Sequence, residues 1–353
     1  MSSKQNNGAL LFPVVFGIIH AAVDASTVMT IFTTRVVHDL RPYDIALIVL
    51  TYDLIAFGGQ TPFGFLIDKL RRCRDAAALG LVFCILGIVF LRIEPITAMI
   101  FAAVGNALFH VGAGALSLHV HEGRATPPGL FVAPGALGLA IGSYMGKGGF
   151  DITWPFFIVL GISLIVTLAM KPPEIPYKSP PKMPKVSRPI LIVVLLLFSV
   201  FVRSLVGRAG GYAFPKLPEV MFAAAAAAFA GKAIGGVIAD RVGWIEVSVG
   251  ALLISAPLIA FGGANATMVI IGLFIFQMTM PVTLVAVAAL MPGRPAFAFG
   301  LNCLAYIAGF LMTTLPSVKA LYTQPLFLGL ILLSALTVYL GLKPLSKEIP
   351  MKF

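Results

Sequence analysis

The chain has 353 residues, of which 59% are hydrophobic and only 11% are charged, and its mean hydropathy is +0.99. A soluble domain is about half apolar and a quarter charged, so this composition excludes a water-soluble protein and predicts one that uses lipid as its solvent. The net charge of +11 is compatible with nucleic-acid binding, but the placement of the basic residues predicts anionic lipid as their partner instead.

Long hydrophobic stretches recur along the whole chain. A helix needs roughly 20 apolar residues to cross a bilayer, and the sequence predicts twelve such helices. They lie near residues 10–33, 43–66, 76–93, 96–119, 128–148 and 152–170, and then near 189–210, 218–238, 245–263, 266–290, 296–317 and 323–342. Residues 171–188 are rich in proline and basic residues, so we expect a linker there. The prediction is an all-α membrane protein with six-helix bundles at residues 1–170 and 189–353.

Basic residues are concentrated on one side of this arrangement. With a cytoplasmic amino terminus, most of the 25 Lys and Arg residues fall in inner loops or at inner helix ends. The positive-inside rule therefore predicts that both termini are cytoplasmic and that the protein lies in the cytoplasmic (inner) membrane. We expect a monomer whose partners are membrane lipid and a small-molecule substrate, not nucleic acid. The scattered Cys73, Cys84 and Cys303 predict neither a metal site nor a disulfide.

One short motif occurs twice. Residues 59–72 read GQTPFGFLIDKLRR, and residues 231–243 read GKAIGGVIADRVG. Superposing Asp68 on Asp240, 172 positions apart, also aligns Gly64 with Gly236. In both copies an apolar helix runs into a tight turn that carries an acid beside a base. Internal repeats of this kind are common in transporters, and the glycines allow two helices to approach closely.

The two turns resemble the signature loops of the major facilitator superfamily, which lie between helices two and three and between helices eight and nine. The resemblance covers nearly the whole chain and implies a transporter whose halves are latched in one facing state by these turns. On this basis we assign a conformational switch to Gly64, Asp68, Lys69, Arg71, Arg72, Gly236, Asp240 and Arg241. Within the superfamily, residues 58–62, 105–110 and 291–295 are similar to fosmidomycin-resistance-type drug exporters, which implies efflux.

The fifth predicted helix carries Pro134 and Gly135, followed by Gly138, Gly142 and Gly146. This series is similar to the Gly/Pro-rich helix of antiporters, although the order here is Pro-Gly rather than Gly-Pro. A small-residue face for close helix packing is an equally good interpretation.

Polar side chains inside the predicted helices mark the candidate site, because ionisable groups in a bilayer are costly. His20 and Asp24 are four residues apart and share one helix face. Arg203 is a buried cation candidate that could hold a carboxylate or a phosphonate. Lys232 lies close enough to the inner face to snorkel there. We assign substrate binding and proton coupling to His20, Asp24, Asp53, Asn106, His110, Arg203, Gln277, Asn302 and Tyr306.

These residues favour a secondary transporter that moves a small drug-like or anionic solute by alternating access, without a cofactor and with the proton as the coupling ion. An alternative is a carrier of divalent metal ions, because His20, Asp24, Asp53 and His110, with Asn106, offer nitrogen and oxygen ligands. A membrane-embedded enzyme or receptor is a third hypothesis. It lacks support, since the sequence has no nucleophile with a base at a recognisable spacing, no zinc-protease motif and no phosphate-binding glycine loop.

Overall fold

The computed structural model describes residues 3–150, 153–210, 217–263, 265–319 and 323–352. In this part of the chain the regular structure is entirely helical. The first group of helices is α1 (Ser3–Val37), α2 (Pro42–Leu70), α3 (Cys73–Phe90), α4 (Pro95–Leu118), α5 (Thr126–Gly148) and α6 (Thr153–Ala169). The second group is α7 (Pro189–Gly210), α8 (Pro218–Val242), α9 (Trp244–Phe261), α10 (Ala266–Ala289), α11 (Pro295–Met312) and α12 (Gln324–Leu345). A short helical turn at Pro316–Lys319 precedes α12.

Eleven of these helices are long and apolar enough to cross a membrane. The remaining one, α6, is apolar but has only 17 described residues. The structure therefore confirms a multi-pass, all-helical membrane protein, and the exact number of twelve spans stays a prediction.

Three of the long apolar helices are interrupted along their length. A π-helical turn at Leu54–Gly58 divides α2, Ala133 and Pro134 divide α5, and Met278 and Thr279 divide α10. Irregular backbone within a membrane-spanning helix is tolerated where it lines a cavity. All three interruptions lie beside the central cavity described below, to which they contribute Phe57, Gly135 and Met280.

The helices before and after the linker pack in the same pattern. In the first group α1 packs on α5, and α3 packs on α4 and α6. In the second group α7 packs on α11, and α9 packs on α10 and α12. The main contacts between the groups are also paired, since α2 packs on α11 and α5 packs on α8. The duplicated turn is thus part of a repeated helix arrangement.

Both copies of the duplicated turn lie at one face of the molecule, together with the linker and the C-terminal tail. The tail is fixed at this face, since the Trp244 amide donates to the Met351 carbonyl over 3.2 Å. The Lys185 amide of the linker donates to Glu348 Oε2 over 3.0 Å. We call this side the latch face. Its assignment to the cytoplasm stays a prediction.

Glycines bring α5 against α1. A Cβ atom added to Gly138 would overlap the Ala21 carbonyl oxygen, and one added to Gly142 would overlap that of Ala25. Both separations would be under 3.0 Å, which real Cβ atoms essentially never show. The glycine series of α5 therefore provides the packing face that was one of its two interpretations.

We expect Gly142→Val to destabilise the protein, because its side chain would force α1 and α5 apart. Overpacking of this kind costs typically ~1–3 kcal/mol, so the melting temperature in detergent should fall by several degrees. Gly161→Val in α6 is the matched control, since a Cβ there meets no atom within 4 Å. Equal melting temperatures for the two variants would contradict the close packing of α1 on α5.

Candidate functional site

The acid of the first turn joins the two helix groups. Asp68, at the end of α2, accepts hydrogen bonds from the backbone amides of Ala296 (3.2 Å) and Phe297 (2.8 Å) at the start of α11. The amino end of a helix has unpaired amides and a partial positive charge, so it stabilises a carboxylate. A Cβ atom on Gly64 would overlap the Ala296 carbonyl oxygen. Glycine is therefore needed for this approach, which we call the first latch.

The second turn repeats this geometry in the opposite sense. Asp240, at the end of α8, accepts from the amides of Ala125 (2.8 Å) and Thr126 (2.9 Å) at the start of α5, and from the Thr126 hydroxyl (2.6 Å). A Cβ atom on Gly236 would lie 2.6 Å from the Ala125 carbonyl oxygen. In this second latch the later half provides the acid and the earlier half provides the helix end. The two crossed contacts hold the halves together at the latch face.

Each latch has a further aromatic donor that the sequence did not indicate. The Tyr177 hydroxyl of the linker donates to Asp68 Oδ1 over 3.1 Å, and Trp244 Nε1 donates to Asp240 Oδ1 over 3.3 Å. Burial raises the pKa of Tyr177, so its phenol stays protonated and remains a donor. The bases of the turns make no part of either contact, since Lys69, Arg71, Arg72 and Arg241 are exposed.

Three titratable side chains meet in the interior of the first half. His20 Nε2 lies 3.1 Å from Asp24 Oδ2, and His110 Nε2 lies 3.4 Å from Asp24 Oδ1. The two imidazoles touch each other, with Nε2 atoms 2.7 Å apart. All three residues are at most 6% exposed. We call this group the His–Asp cluster.

Space for the His–Asp cluster comes from the interruption of α5. A Cβ atom on Gly135 would lie 2.5 Å from His20 Nε2 and 2.7 Å from Asp24 Oδ2. A larger residue here would therefore displace the imidazole or the carboxylate from its present position. The Pro134–Gly135 pair thus serves the cluster directly, whereas the later glycines of α5 serve helix packing.

The hydrogen bonds of the cluster define where its protons are. His20 Nδ1 lies 2.9 Å from the Phe131 carbonyl oxygen, and His110 Nδ1 lies 2.8 Å from the Asn106 carbonyl oxygen. A carbonyl only accepts, so both Nδ1 atoms carry hydrogen. In two neutral imidazoles, both Nε2 atoms would then present lone pairs to each other at 2.7 Å. This contact is attractive only if one proton lies between the rings, which makes one of them an imidazolium.

A layer of neutral polar groups supports the cluster. Asn106 Nδ2 donates to Asp24 Oδ1 over 3.0 Å and lies 3.3 Å from Thr27 Oγ1. The Tyr52 hydroxyl donates to the same Thr27 oxygen over 2.8 Å. Asn106 therefore fixes Oδ1 of Asp24, while His20 Nε2 lies beside its Oδ2.

Arg203 of α7 is buried without an acid. Its Nε donates to the Ser199 carbonyl over 3.3 Å, Nη1 donates to the Thr279 hydroxyl, and Nη2 donates to the Thr283 hydroxyl over 2.8 Å. No carboxylate among the described residues pairs with it. A guanidinium has five N–H donors, so one donor on each terminal nitrogen remains for another molecule. Thr279 and Thr283 were not recognised from the sequence, where a hydroxyl inside an apolar helix gives no signal.

The His–Asp cluster and Arg203 line one central cavity of about 160 Å³. Gln277, Asn302 and Tyr306 line it too, and Asn302 Oδ1 is buried with no hydrogen-bond partner among the described residues. Its apolar wall includes Phe57 and Tyr306, whose ring centroids lie 5.6 Å apart. The structure thus gathers eight of the nine predicted site residues around one space, counting Asn106 as a partner of Asp24.

Asp53 lies apart from the His–Asp cluster. It lines an outer cavity of about 410 Å³, together with Lys147 and Arg208. Arg203, Gln277 and Tyr306 line both cavities, which are therefore adjacent. Lys147 and Arg208 lie at the ends of α5 and α7 away from the latch face. The outer cavity consequently lies on the side of the molecule opposite the latch face.

Lys232 differs from its expected position. Instead of reaching for the membrane surface, it lines the central cavity beside His20 and Asp24. The snorkelling interpretation was wrong because the side chain of α8 at this position faces the first half and not the lipid. Only the position of α8 at the contact with α5, which sequence spacing does not give, reveals this.

Comparisons with known proteins give a match at the level of structure alone. No family model and no curated protein sequence matches the chain. A crystal structure of the E. coli fucose:proton symporter FucP superposes with a TM-score of 0.69 at 13% identity, covering 94% of this chain and 97% of that one. A crystal structure of FucP, a major facilitator superfamily transporter, in the outward conformation gives a TM-score of 0.69 at 12% identity, covering 93% and 99%. The chain has the major facilitator fold. The narrower resemblance to fosmidomycin-resistance-type exporters stays a prediction.

Loss of either latch acid should open the latch face. In Asp68→Asn or Asp240→Asn, an amide NH₂ replaces one acceptor oxygen and opposes a backbone N–H. Charge-assisted hydrogen bonds are worth ~1.5–3 kcal/mol, so the population open at this face should rise by about tenfold or more. Cys303 of the central cavity can report this in a Cys73→Ser, Cys84→Ser background, through its labelling by an impermeant maleimide applied from the latch face.

Lys69→Gln is the matched control for this labelling experiment, since Lys69 is exposed and makes no latch contact. It should label at the rate of the parent protein. Labelling that is unchanged in both aspartate variants would show that the latches do not control access.

Proposed function

We propose that the protein is a secondary active transporter, not an enzyme, that moves a small organic anion across the membrane by alternating access coupled to protons. The observation that carries this proposal is one cavity that combines a proton-sharing His–Asp cluster with an uncompensated arginine. Buried ionisable groups cost free energy and persist in membranes where they serve a pathway. The cavity lies between two helix groups that the crossed latches join at one face, an arrangement suited to alternate opening.

We further propose that residues 1–170 and 189–353 move as two six-helix domains connected by the linker 171–188. The equivalent packing of α1 on α5 and of α7 on α11 supports this division. The excess of basic residues at the latch face supports its placement in the cytoplasm and the placement of both termini there. This orientation suits a monomeric, multi-pass protein of the cytoplasmic (inner) membrane.

Asp24 is the proposed centre of proton coupling. One proton between His20 and His110 makes the cluster neutral, and its loss leaves a net negative charge in a low-dielectric interior. That change of charge alters which solute the cavity favours. His20, His110 and Asn106 therefore act with Asp24 as one coupled unit.

Arg203 is the proposed binding group for the anion. The two N–H donors left on its terminal nitrogens match the two oxygens of a carboxylate or phosphonate. The orphaned Oδ1 of Asn302 can accept a donor group of the same solute, and Phe57 with Tyr306 can contact its apolar part. Asp53, Lys147 and Arg208 lie on the route of entry.

Carriage of divalent metal ions is less well supported by the geometry. The structure brings His20, Asp24 and His110 together as a possible ligand set, without Asp53. Imidazole nitrogens bound to one tetrahedral zinc at ~2.0–2.1 Å would lie roughly 3.3 Å apart. The observed Nε2–Nε2 distance of 2.7 Å instead suits a hydrogen bond.

Asp24→Asn should abolish proton-coupled transport. In proteoliposomes that contain a pH-sensitive dye, benzoate, lactate and fosmidomycin can be tested as anionic solutes under an imposed pH gradient. We expect solute-dependent proton movement by the wild-type protein and a loss of at least tenfold in the variant, because Asn cannot change its charge. The direction of movement tests the export that the sequence resemblance implies.

Asp44→Asn is the matched control for transport, since Asp44 pairs with Arg41 at the protein surface. It should keep wild-type activity. Solute movement that continues at the wild-type rate in Asp24→Asn would refute the assignment of proton coupling to the cluster.

A thermal-shift measurement distinguishes the metal hypothesis. A ligand that binds the folded state raises its stability, so a metal held by the cluster would stabilise the wild-type protein and not His110→Gln. We expect Zn²⁺ and Mn²⁺ to change the two melting temperatures equally. Stabilisation confined to the wild-type protein would favour metal transport.

A further inference from the structure

Lys232 occupies a duplicated position with changed chemistry. In the 172-residue offset that aligns the two latches, Lys232 corresponds to Gln60. The backbone contacts at the two positions are alike, since the Gln60 carbonyl oxygen lies 2.5 Å from a Cβ built on Gly300, and that of Lys232 lies 2.9 Å from one built on Gly129. Both positions thus lie at close contacts between helices of the two halves. The first carries a buried amide, and the second carries an ammonium.

The ammonium of Lys232 belongs to the second half but acts on the cluster of the first. Lys232 lines the central cavity with His20 and Asp24. It interacts electrostatically with Asp24, and also with His110. Yet no described residue forms a hydrogen bond or a close ion pair with it. A partly buried ammonium without a partner is costly.

A proton shared between the two imidazoles explains why Lys232 has no close ion-pair partner. With one proton between the imidazoles, the charge of Asp24 is balanced by an imidazolium whose Nε2 lies within 3.4 Å of the carboxylate, and Asn106 Nδ2 donates to its Oδ1. If that proton leaves, two lone pairs meet at 2.7 Å and repel each other. Asp24 then loses its cationic partner. Lys232 is the neighbouring cation of the cavity on which Asp24 already acts.

We infer that Lys232 exchanges partners: it binds the anionic group of the solute together with Arg203 when the His–Asp cluster holds its proton, and it binds Asp24 when the proton is lost. This inference rests on the proposed function and specifies its coupling. The anion and the proton occupy the cavity together, so the protein is a symporter of an organic anion and H⁺. Exchange of anion for proton, which export would require, is disfavoured because it would place an anion beside an unprotonated cluster.

The other charges of the pathway do not substitute for Lys232. The ionisable groups that line the two cavities are His20 and Asp24 of α1, Tyr52 and Asp53 of α2, His110 of α4, Lys147 of α5, Arg203 and Arg208 of α7, Lys232 of α8, and Cys303 and Tyr306 of α11. Arg203 is fixed by three hydrogen bonds. Lys147 lies at the outer end, over the Phe32 ring. Lys232 is the long, flexible cation next to the cluster.

A double-mutant cycle tests this exchange without any solute. Melting temperatures of the full-length protein are measured between pH 5.5 and 9 for the wild type, Asp24→Asn, Lys232→Gln and the double variant. At high pH, Lys232→Gln should lower the melting temperature by about 2–4 °C when Asp24 is present, and should have no such effect when it is added to Asp24→Asn. At low pH, where Asp24 is paired with the imidazolium, this coupling should vanish.

Two controls belong to the cycle. Lys232→Arg keeps the cation and should keep the coupling, and a parallel cycle of Asp53→Asn with Lys232→Gln should show none. Coupling between Asp24 and Lys232 that is absent at every pH, or equal at every pH, would refute the exchange. This result does not depend on transport, so it is distinct from failure of the proposed function.

Binding of benzoate provides a second test of the exchange. Benzoate combines a carboxylate with a ring that suits the wall formed by Phe57 and Tyr306. It should stabilise the wild-type protein more at pH 5.5 than at pH 9, although it is ionised at both. Lys232→Gln should weaken its apparent affinity about tenfold and remove this pH dependence. Greater stabilisation at pH 9 would overturn symport, and no stabilisation at any pH would refute a carboxylate as the recognised group.

Discussion

A bilayer provides no water to an ionised group, so every charge inside this protein must find compensation within the protein or in what it carries. The structure meets this constraint in three ways. At the latches, carboxylates bind the amino ends of helices. In the cluster, a carboxylate binds an imidazole pair that shares a proton. At Arg203, hydroxyls and a carbonyl solvate the cation without cancelling its charge, and the proposed function assigns that remaining charge to the binding of an anion.

The fold was largely predictable from the sequence. Hydrophobic stretches indicated the helices, and the repeated turn indicated the relation between the halves, since a glycine four residues before an acid is specific enough to find twice. What the acid binds was less accessible. Asp68 and Asp240 each meet a helix end more than 100 residues away, and the aromatic donors Tyr177 and Trp244 have no sequence signature.

The site was predictable in composition but not in grouping. Four-residue spacing placed His20 with Asp24 and Asn106 with His110, and the packing of α1 near α4 then brought the pairs together. Depth along a helix did not show that Asp53 faces the outer cavity. It also assigned Lys232 to the membrane surface, because a lysine near a helix end commonly snorkels. The surroundings of a side chain depend on which helix packs beside it. The sequence pattern of a single helix does not contain this information.

The division of charge between the halves has a mechanical consequence. The proton-binding groups lie on α1 and α4, whereas Arg203 and Lys232 lie on α7 and α8. In the proposed mechanism, opposite charges on the two domains attract each other across the cavity, and a cluster without its proton therefore favours the arrangement that keeps Asp24 near Lys232. A proton bound to the His–Asp cluster removes this attraction by neutralising the first half. An anion bound to Lys232 removes it by neutralising the second half. Counting the His–Asp cluster, Lys232 and the two ligands, each ligand alone leaves a net charge in the closed, dry interior, and the pair together leaves none, while the charge of Arg203 is the same in every case. Passage through the closed intermediate is thus easiest in two states: with both proton and anion bound, or empty with Asp24 paired to Lys232. This restriction to two states is the electrostatic condition for tight coupling.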